Sequence, residues 1–255
     1  MKLDKSFWED IAAIGSQSPL VHNITNFVVM NNTANALLAI GASPVMAHAV
    51  EEVEDMAKIS SALVLNIGTL SPRWVEAMLL AGKVAKQRAI PIVFDPVGAG
   101  ATPYRLKVCQ QIIEECRPTI IRGNASEIMA LIGADSATKG VDSTDSSESA
   151  IESAKQLAKQ TGAVVSVSGA IDYITDGVTI HQVEGGSAIM PRVTGMGCTS
   201  TALTAAFVAV NSDALEAATH AMQLMSYAGY RAAQNAQGPG SFQVNFLDEL
   251  YTLKP

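Results

Sequence analysis

The sequence predicts an α/β fold, a mostly parallel central sheet with helices on both faces, and three observations carry that expectation. Short apolar runs such as Ala62-Leu63-Val64-Leu65-Asn66 and Pro91-Ile92-Val93-Phe94-Asp95 read as strands buried on both faces. Each is followed by a turn and an amphipathic stretch, so strand, loop and helix alternate as a parallel sheet requires. Polar residues recur where those strands end, at Asn66, Asp95, Arg122-Gly123-Asn124 and Ser168-Gly169.

Taken in order, an amphipathic helix is expected over residues 4–15. The strand Pro19-Leu20-Val21-His22-Asn23-Ile24-Thr25-Asn26 follows, with polar residues able to cap the next helix, 27–40. Gly41 stands where a left-handed cap ends that helix. A strand over 42–47 carries Met46, and an acidic helix covers 51–58. After the strand 62–66, Ser71-Pro72 supplies an N-cap and a proline at the first helical position for a helix to residue 89. The strand 91–95 leads through Pro96-Val97-Gly98-Ala99-Gly100-Ala101 to a helix ending at Cys116. The strand Thr119-Ile120-Ile121-Arg122 and a short helix, 125–131, come next. The polar stretch 134–148 has no apolar period and reads as an exposed loop before a helix over 150–161. Beyond the strand 163–168, Asp176-Gly177 joins two short strands as a hairpin. A further strand is expected near Ile189 and Met190. Two long helices, 198–210 and 214–237, and a terminal one over 245–251 complete the chain. With no internal repeat and no linker, residues 1–255 read as one domain.

Composition narrows the partners. At 255 residues and 48% apolar, the chain can bury a continuous core. The formal charge is −7, and no Lys/Arg cluster offers a nucleic-acid footprint. The 3 cysteines, Cys109, Cys116 and Cys198, are an odd number without C-x-x-C spacing, which fits a reducing cytoplasm better than a disulfide framework or a zinc site. No apolar run approaches the roughly 18 residues of a membrane span, and the charged start of the chain does not resemble a signal peptide.

The chemistry is expected at Val193-Thr194-Gly195-Met196-Gly197-Cys198-Thr199-Ser200, ahead of a small-residue helix. Gly195 and Gly197 let successive amides converge at a helix N-terminus, an anion cradle suited to phosphoryl transfer. Cys198 adds a thiol at its mouth, whose acidity the helix end would raise. Taken alone, the same residues also describe a glycine turn that caps a buried helix. In open α/β sheets ligands lie beyond the carboxyl ends of the strands, which brings the strand-end polar residues into the same region. Asp95 and Glu127 are the carboxylates for Mg²⁺, although Glu127 equally suits a first-turn acid balancing a helix dipole. Arg122 suits a phosphate clamp or, alternatively, a surface ion pair. The histidines His22, His48, His181 and His220 lack metal-ligand spacing. Neither G-x-x-x-x-G-K-[ST] nor G-x-G-x-x-G is present, so any ATP is held without a P-loop.

Over nearly its whole length the chain resembles the hydroxyethylthiazole kinase family, the thiamine-salvage branch of the ribokinase-like superfamily. The residues that carry the resemblance are 21–26, 41–46, 95–99, 122–127 and 194–198. It implies a ribokinase-like fold and transfer of the ATP γ-phosphate, with Mg²⁺, to the primary alcohol of 4-methyl-5-(2-hydroxyethyl)thiazole. It also implies a homotrimer with active sites between subunits. Residue by residue, it implies Asn23 and Met46 at the thiazole pocket, Gly195 beside the substrate, Arg122 and Ser168 on ATP, and Asp95 and Glu127 at the metal. Ser168 stands where threonine is frequent. Cys198 stands where the wider superfamily keeps an aspartate base, which makes it a helpful but dispensable base. Other readings of the same residues are a pyrimidine or pyridoxal kinase, an ADP-dependent dehydratase, a cysteine hydrolase and a nucleotide sensor.

Overall fold

The strand Ala62–Asn66 (β3) is buried along its full length, and this determines its place near the middle of a sheet covered on both sides. The computed structural model describes residues 3–133 and 143–253. Among them the sheet has eight strands in the order β2-β1-β3-β4-β5-β6-β7-β8. These are β1 (Leu20–Ile24), β2 (Ser43–Val45), β4 (Ile92–Asp95), β5 (Ile120–Asn124), β6 (Val164–Ser168), β7 (Ile171–Thr175) and β8 (Ile180–Glu184). Neighbours from β2 to β6 run parallel, while β7 and β8 are antiparallel and finish one edge as the Asp176-Gly177 hairpin. Gly177 takes φ 95°, the left-handed geometry that such a turn demands.

Two apolar layers sandwich the sheet. On one face lie α1 (Lys5–Gln17), α2 (Met30–Ala39), α8 (Met196–Val210), α9 (Ala214–Gln234) and α10 (Pro239–Tyr251), packed on Val21, Val64, Val93, Ile120 and Val164. On the other lie α3 (Val53–Ile59), α4 (Pro72–Gln87), α5 (Pro103–Cys116), α6 (Ala125–Leu131) and α7 (Ser143–Thr161), packed on Leu63, Leu65, Phe94, Ile121 and Val165. Alternate residues of each strand therefore serve opposite layers. Buried on nearly every side, α8 is the central helix of its layer. Between α4 and α5 the approach is so close that a methyl group at Gly82 would collide with Cys116 Sγ.

The structure confirms the fold class, and four elements differ from the reading of the sequence. No strand forms at Ile189 and Met190; Met190–Arg192 is a 3₁₀ turn, since Pro191 lacks an N–H and the Met190 side chain packs on Gly186 and Gly229. α2 begins at Met30 rather than at residue 27, which leaves Asn26 and Phe27 in a turn, with the Phe27 amide bonded to Thr69 Oγ1 at 3.2 Å. α7 begins at Ser143, within the stretch read as a loop. Residues 143–149 are all polar, so apolar periodicity could not reveal its first turns. Residues 134–142 of that stretch lie outside the described residues. Finally, α10 begins at Pro239, because proline occupies the first helical position and Ser241 Oγ accepts the Gly238 amide at 3.2 Å.

Candidate active site

The turn before α8 is built on Gly195, whose φ of 85° disfavours any side chain and whose missing Cβ would stand 2.8 Å from Val29 Cγ1. This absence lets the turn rest on the start of α2. Thr199 N–H makes the first bond of the helix, to Gly195 O at 2.8 Å. The amides of Met196, Gly197 and Cys198 precede it and have no protein acceptor among the described residues. Three donors thus converge at the positive end of a 15-residue helix.

Asp95, at the end of β4, is joined directly to that helix. Its Oδ2 accepts from Thr201 Oγ1 at 2.7 Å and from Asn66 Nδ2 at 2.8 Å. Asn66 Oδ1 in turn accepts from Asn26 Nδ2 at 2.9 Å and from the Gly68 amide at 2.9 Å. Asn26 Nδ2 also reaches Cys198 Sγ at 3.4 Å. A continuous buried chain therefore runs Thr201–Asp95–Asn66–Asn26–Cys198 and pins the ends of β1, β3 and β4 to the first turns of α8. Burial pushes the Asp95 carboxyl up to about 6; Arg122, Thr201 and Asn66 oppose the rise and the Glu127 charge adds to it. Burial likewise pushes the Cys198 thiol up to about 11, with the Asp95 charge adding and Asn66, Asn26 and Arg122 opposing. The acidity that the helix end was expected to confer is outweighed, so Cys198 keeps its proton at neutral pH.

Glu127 serves two backbone donors. Its Oε2 accepts from the Asn124 amide at 2.8 Å, completing a capping box with Asn124 Oδ1, which accepts from the Glu127 amide at 2.9 Å. Its Oε1 accepts from the Gly98 amide at 2.8 Å, which ties the loop after β4 to α6. Glu127 is thus a first-turn acid of α6, as its alternative reading expected, and each oxygen retains a lone pair for a further ligand. Arg122 is buried, so the surface ion pair is not its role. Its Nη2 donates to Ser168 Oγ at 2.5 Å, and its Nε is buried with no partner among the described residues. The guanidinium lies so close over Gly197 that a Cβ there would come 2.7 Å from Nη1. Arg122, Ser168 and Gly197 share the wall of a cavity of about 500 Å³ bounded by α8, α9 and the β6–β7 turn.

Asn23 lies on β1 and Met46 just after β2, at one edge of the sheet. Asn23 is fully buried within β1 and its Nδ2 donates to Val21 O at 2.9 Å, while Oδ1 has no partner among the described residues. Met46 follows β2, and its carbonyl lies 3.1 Å from His48 Nδ1. The His48 ring stacks on Trp74 with centroids 4.1 Å apart, and Phe27 leans on Trp74 at 4.7 Å. The structure thus gathers Asp95, Arg122, Glu127, Ser168, Gly195, Gly197 and Cys198 at the carboxyl ends of the strands. Asn26, three residues beyond Asn23, is the asparagine that contacts Cys198. Sequence reasoning missed Asn26 and Thr201, whose signals were weak: a second asparagine closing His22-Asn23-Ile24-Thr25-Asn26, and a hydroxyl one helical turn after Gly197.

Proteins of similar sequence and fold point to one family. Residues 11–255 match the model of the Hydroxyethylthiazole kinase family. A hydroxyethylthiazole kinase of Nitratidesulfovibrio vulgaris is 58% identical over 246 residues, 96% of this chain and 92% of that protein. One of Leptospira biflexa is 56% identical over 249 residues, 98% of this chain and 93% of that protein. The solved structure of the hydroxyethylthiazole kinase protein from Pyrococcus horikoshii superposes with a TM-score of 0.91 at 43% identity, covering 99% of this chain and 95% of that one. A pyridoxal kinase from Staphylococcus aureus, solved with AMP-PCP and pyridoxal, shares the ribokinase-like fold at a TM-score of 0.62 and 19% identity, covering 83% of this chain and 88% of that one. Relatives this close over nearly the whole length lead to one conclusion: the chain belongs to the hydroxyethylthiazole kinase family.

Proposed function

We propose that the protein transfers the γ-phosphoryl group of ATP to the primary hydroxyl of 4-methyl-5-(2-hydroxyethyl)thiazole. The observation that carries this reading is the 2.7 Å bond from Thr201 to Asp95, which puts the open amides of Met196–Cys198 at the carboxyl end of β4, beside its terminal acid. Phosphoryl transfer depends chiefly on position and charge stabilisation, which such a cradle supplies. Gly195 and Gly197 keep the amides bare, and Arg122, with its free Nε and its bond to Ser168, holds the polyphosphate at the cavity wall. Cys198 lies beside the alcohol as a protonated thiol accepting from Asn26, so its role is to orient the hydroxyl rather than to take its proton. Asn23, Met46 and Gly195 border the thiazole ring, to which the Phe27, His48 and Trp74 rings offer an apolar wall.

Asp95 and Glu127 would hold Mg²⁺. Among the described residues no group of three or more His, Cys, Asp or Glu side chains converges, and this suits an ion that takes one or two carboxylates and completes its shell with phosphate and water. When bound, the ion would neutralise phosphate charge. We further infer that residues 1–255 form one kinase domain and that the enzyme is a cytoplasmic homotrimer with active sites between subunits. The exposed Phe27 and Val28 beside Asn26, each 63% accessible, support an interface there. Among the described residues no helix is long and apolar enough to cross a membrane.

Mass spectrometry of a reaction with ATP, Mg²⁺ and the thiazole alcohol tests the reading. Formation of the phosphorylated alcohol with ADP is expected. ADP with free phosphate and unmodified alcohol would overturn it, as would exclusive phosphorylation of pyridoxal or a pyrimidine alcohol.

A further inference from the structure

The cavity beside Arg122 contains an acid that the phosphoryl-transfer reading leaves unused. Arg122 on β5, Ser168 on β6 and Asp172 on β7 project from adjacent strands toward the same face, the one that Ile120, Val164 and Ile174 present to α8 and α9. All three line the 500 Å³ cavity, a size within the usual range for small-molecule sites, about 300–1,000 Å³. Asp172 Oδ1 accepts the Gly169 amide at 3.0 Å and closes the β6–β7 turn, whereas Oδ2 has no partner among the described residues. Burial raises the Asp172 carboxyl above the usual carboxylate range, the Gly169 amide and Arg122 oppose that rise, and Arg122's own hydrogen bond goes to Ser168. The cavity is therefore dipolar, with a guanidinium and open amides at one end and an acid with a spare oxygen at the other.

A carboxylate in this position repels phosphate and must face a donor. We propose that Asp172 accepts hydrogen bonds from the vicinal hydroxyls of the nucleotide's ribose, so that the enzyme selects ribonucleotide over deoxyribonucleotide donors. The proposal rests on ATP being the phosphoryl donor and names the part of ATP that this end of the cavity reads. Two adjacent hydroxyls match a single carboxylate oxygen edge, and the Arg122 end takes the phosphates. The purine amino group is the other donor that a nucleotide carries, and inosine triphosphate, which lacks it, separates the two.

Steady-state kinetics of thiazole-alcohol phosphorylation with ATP, 2′-deoxyATP, 3′-deoxyATP and inosine triphosphate test the assignment. For the wild-type enzyme, KM for at least one deoxy donor should exceed that for ATP by about tenfold, the scale of one hydrogen bond to a charged group, and inosine triphosphate should behave as ATP does. Asp172→Ala should raise KM for ATP about tenfold with the change falling on KM rather than kcat, and should bring the ratio of deoxy to ribo KM to about 1. A role confined to closing the turn would raise KM for every donor alike. Asp172→Asn, which retains an acceptor for the Gly169 amide, serves if the alanine variant fails to fold. Equal use of ATP and both deoxy donors by the wild type would overturn the proposal, as would a preference that survives in Asp172→Ala or one that follows the purine amino group. Should no donor yield phosphorylated alcohol, the kinase reading itself falls and this assignment with it.

Discussion

At the scale of single residues, the site depends on groups whose neighbours restrict what they can do. Cys198 is a thiol held by Asn26, so removing its sulfur should cost position rather than the main proton acceptor. Cys198→Ser is expected to retain turnover within about 10²-fold of wild type, the lower end of general-base contributions. Abolished turnover with intact substrate binding would show that the thiol is indispensable. Asn26→Ala breaks both the contact to Cys198 and the bond to Asn66 and should lower kcat about tenfold or more, since one severed buried link costs roughly 1–3 kcal/mol; stopped-assay kinetics beside a melting curve separate this from unfolding. His22 gives the pH prediction. Burial lowers its pKa from 6.5, against the pull of Ala47 O at 2.8 Å, so it stays neutral in the fold. A group depressed in this way contributes stability above its unfolded pKa and loses it as pH falls. The wild-type melting temperature should therefore drop as pH falls from about 6.5 toward 5, and His22→Gln should lose less over the same window.

At the scale of elements, the glycine turn and α8 act as one part. Gly195→Ala places a Cβ at positive φ against Val29 and should destabilise by more than the roughly 1–2 kcal/mol of left-handed strain, visible as a lowered denaturation midpoint. Gly197→Ala meets the Arg122 guanidinium instead, and because that is the end of a flexible side chain, the expected effect is a several-fold higher KM for ATP with little change in stability. If both variants bound ATP as the wild type does, the turn would not be the phosphate cradle. The turn was legible in the sequence because two glycines before a small-residue run mark a helix start, whereas those residues alone left an anion cradle and a plain helix cap both open. The strand ends were legible too, since buried parallel strands announce themselves as apolar runs and their last polar residue marks the ligand side. Asn26 was not legible, because the turn that frees it lies inside a pattern that continues the helix backwards to Phe27. Nor was the start of α7, where polar turns carry no period.

At the scale of the whole molecule, the sheet order places β1, β3, β4, β5 and β6 side by side, so residues between Asn26 and Ser168 share one edge of the molecule although their sequence numbers span most of the chain. That convergence follows from topology, which apolar patterning predicted as a class without giving the strand order. Sedimentation analysis of the intact protein is expected to show a trimer. Phe27→Ser together with Val28→Ser should weaken association and, because the proposed site lies between subunits, lower activity in parallel; a fully active monomer would refute the shared site. The seam between α4 and α5 carries a different message. Gly82 and Cys116 divide a single side chain's worth of room, so neither position tolerates enlargement by itself. Drift at this pair in descendants of the protein is therefore confined to simultaneous exchange, a bulkier residue arriving on one helix only as the sulfur departs from the other.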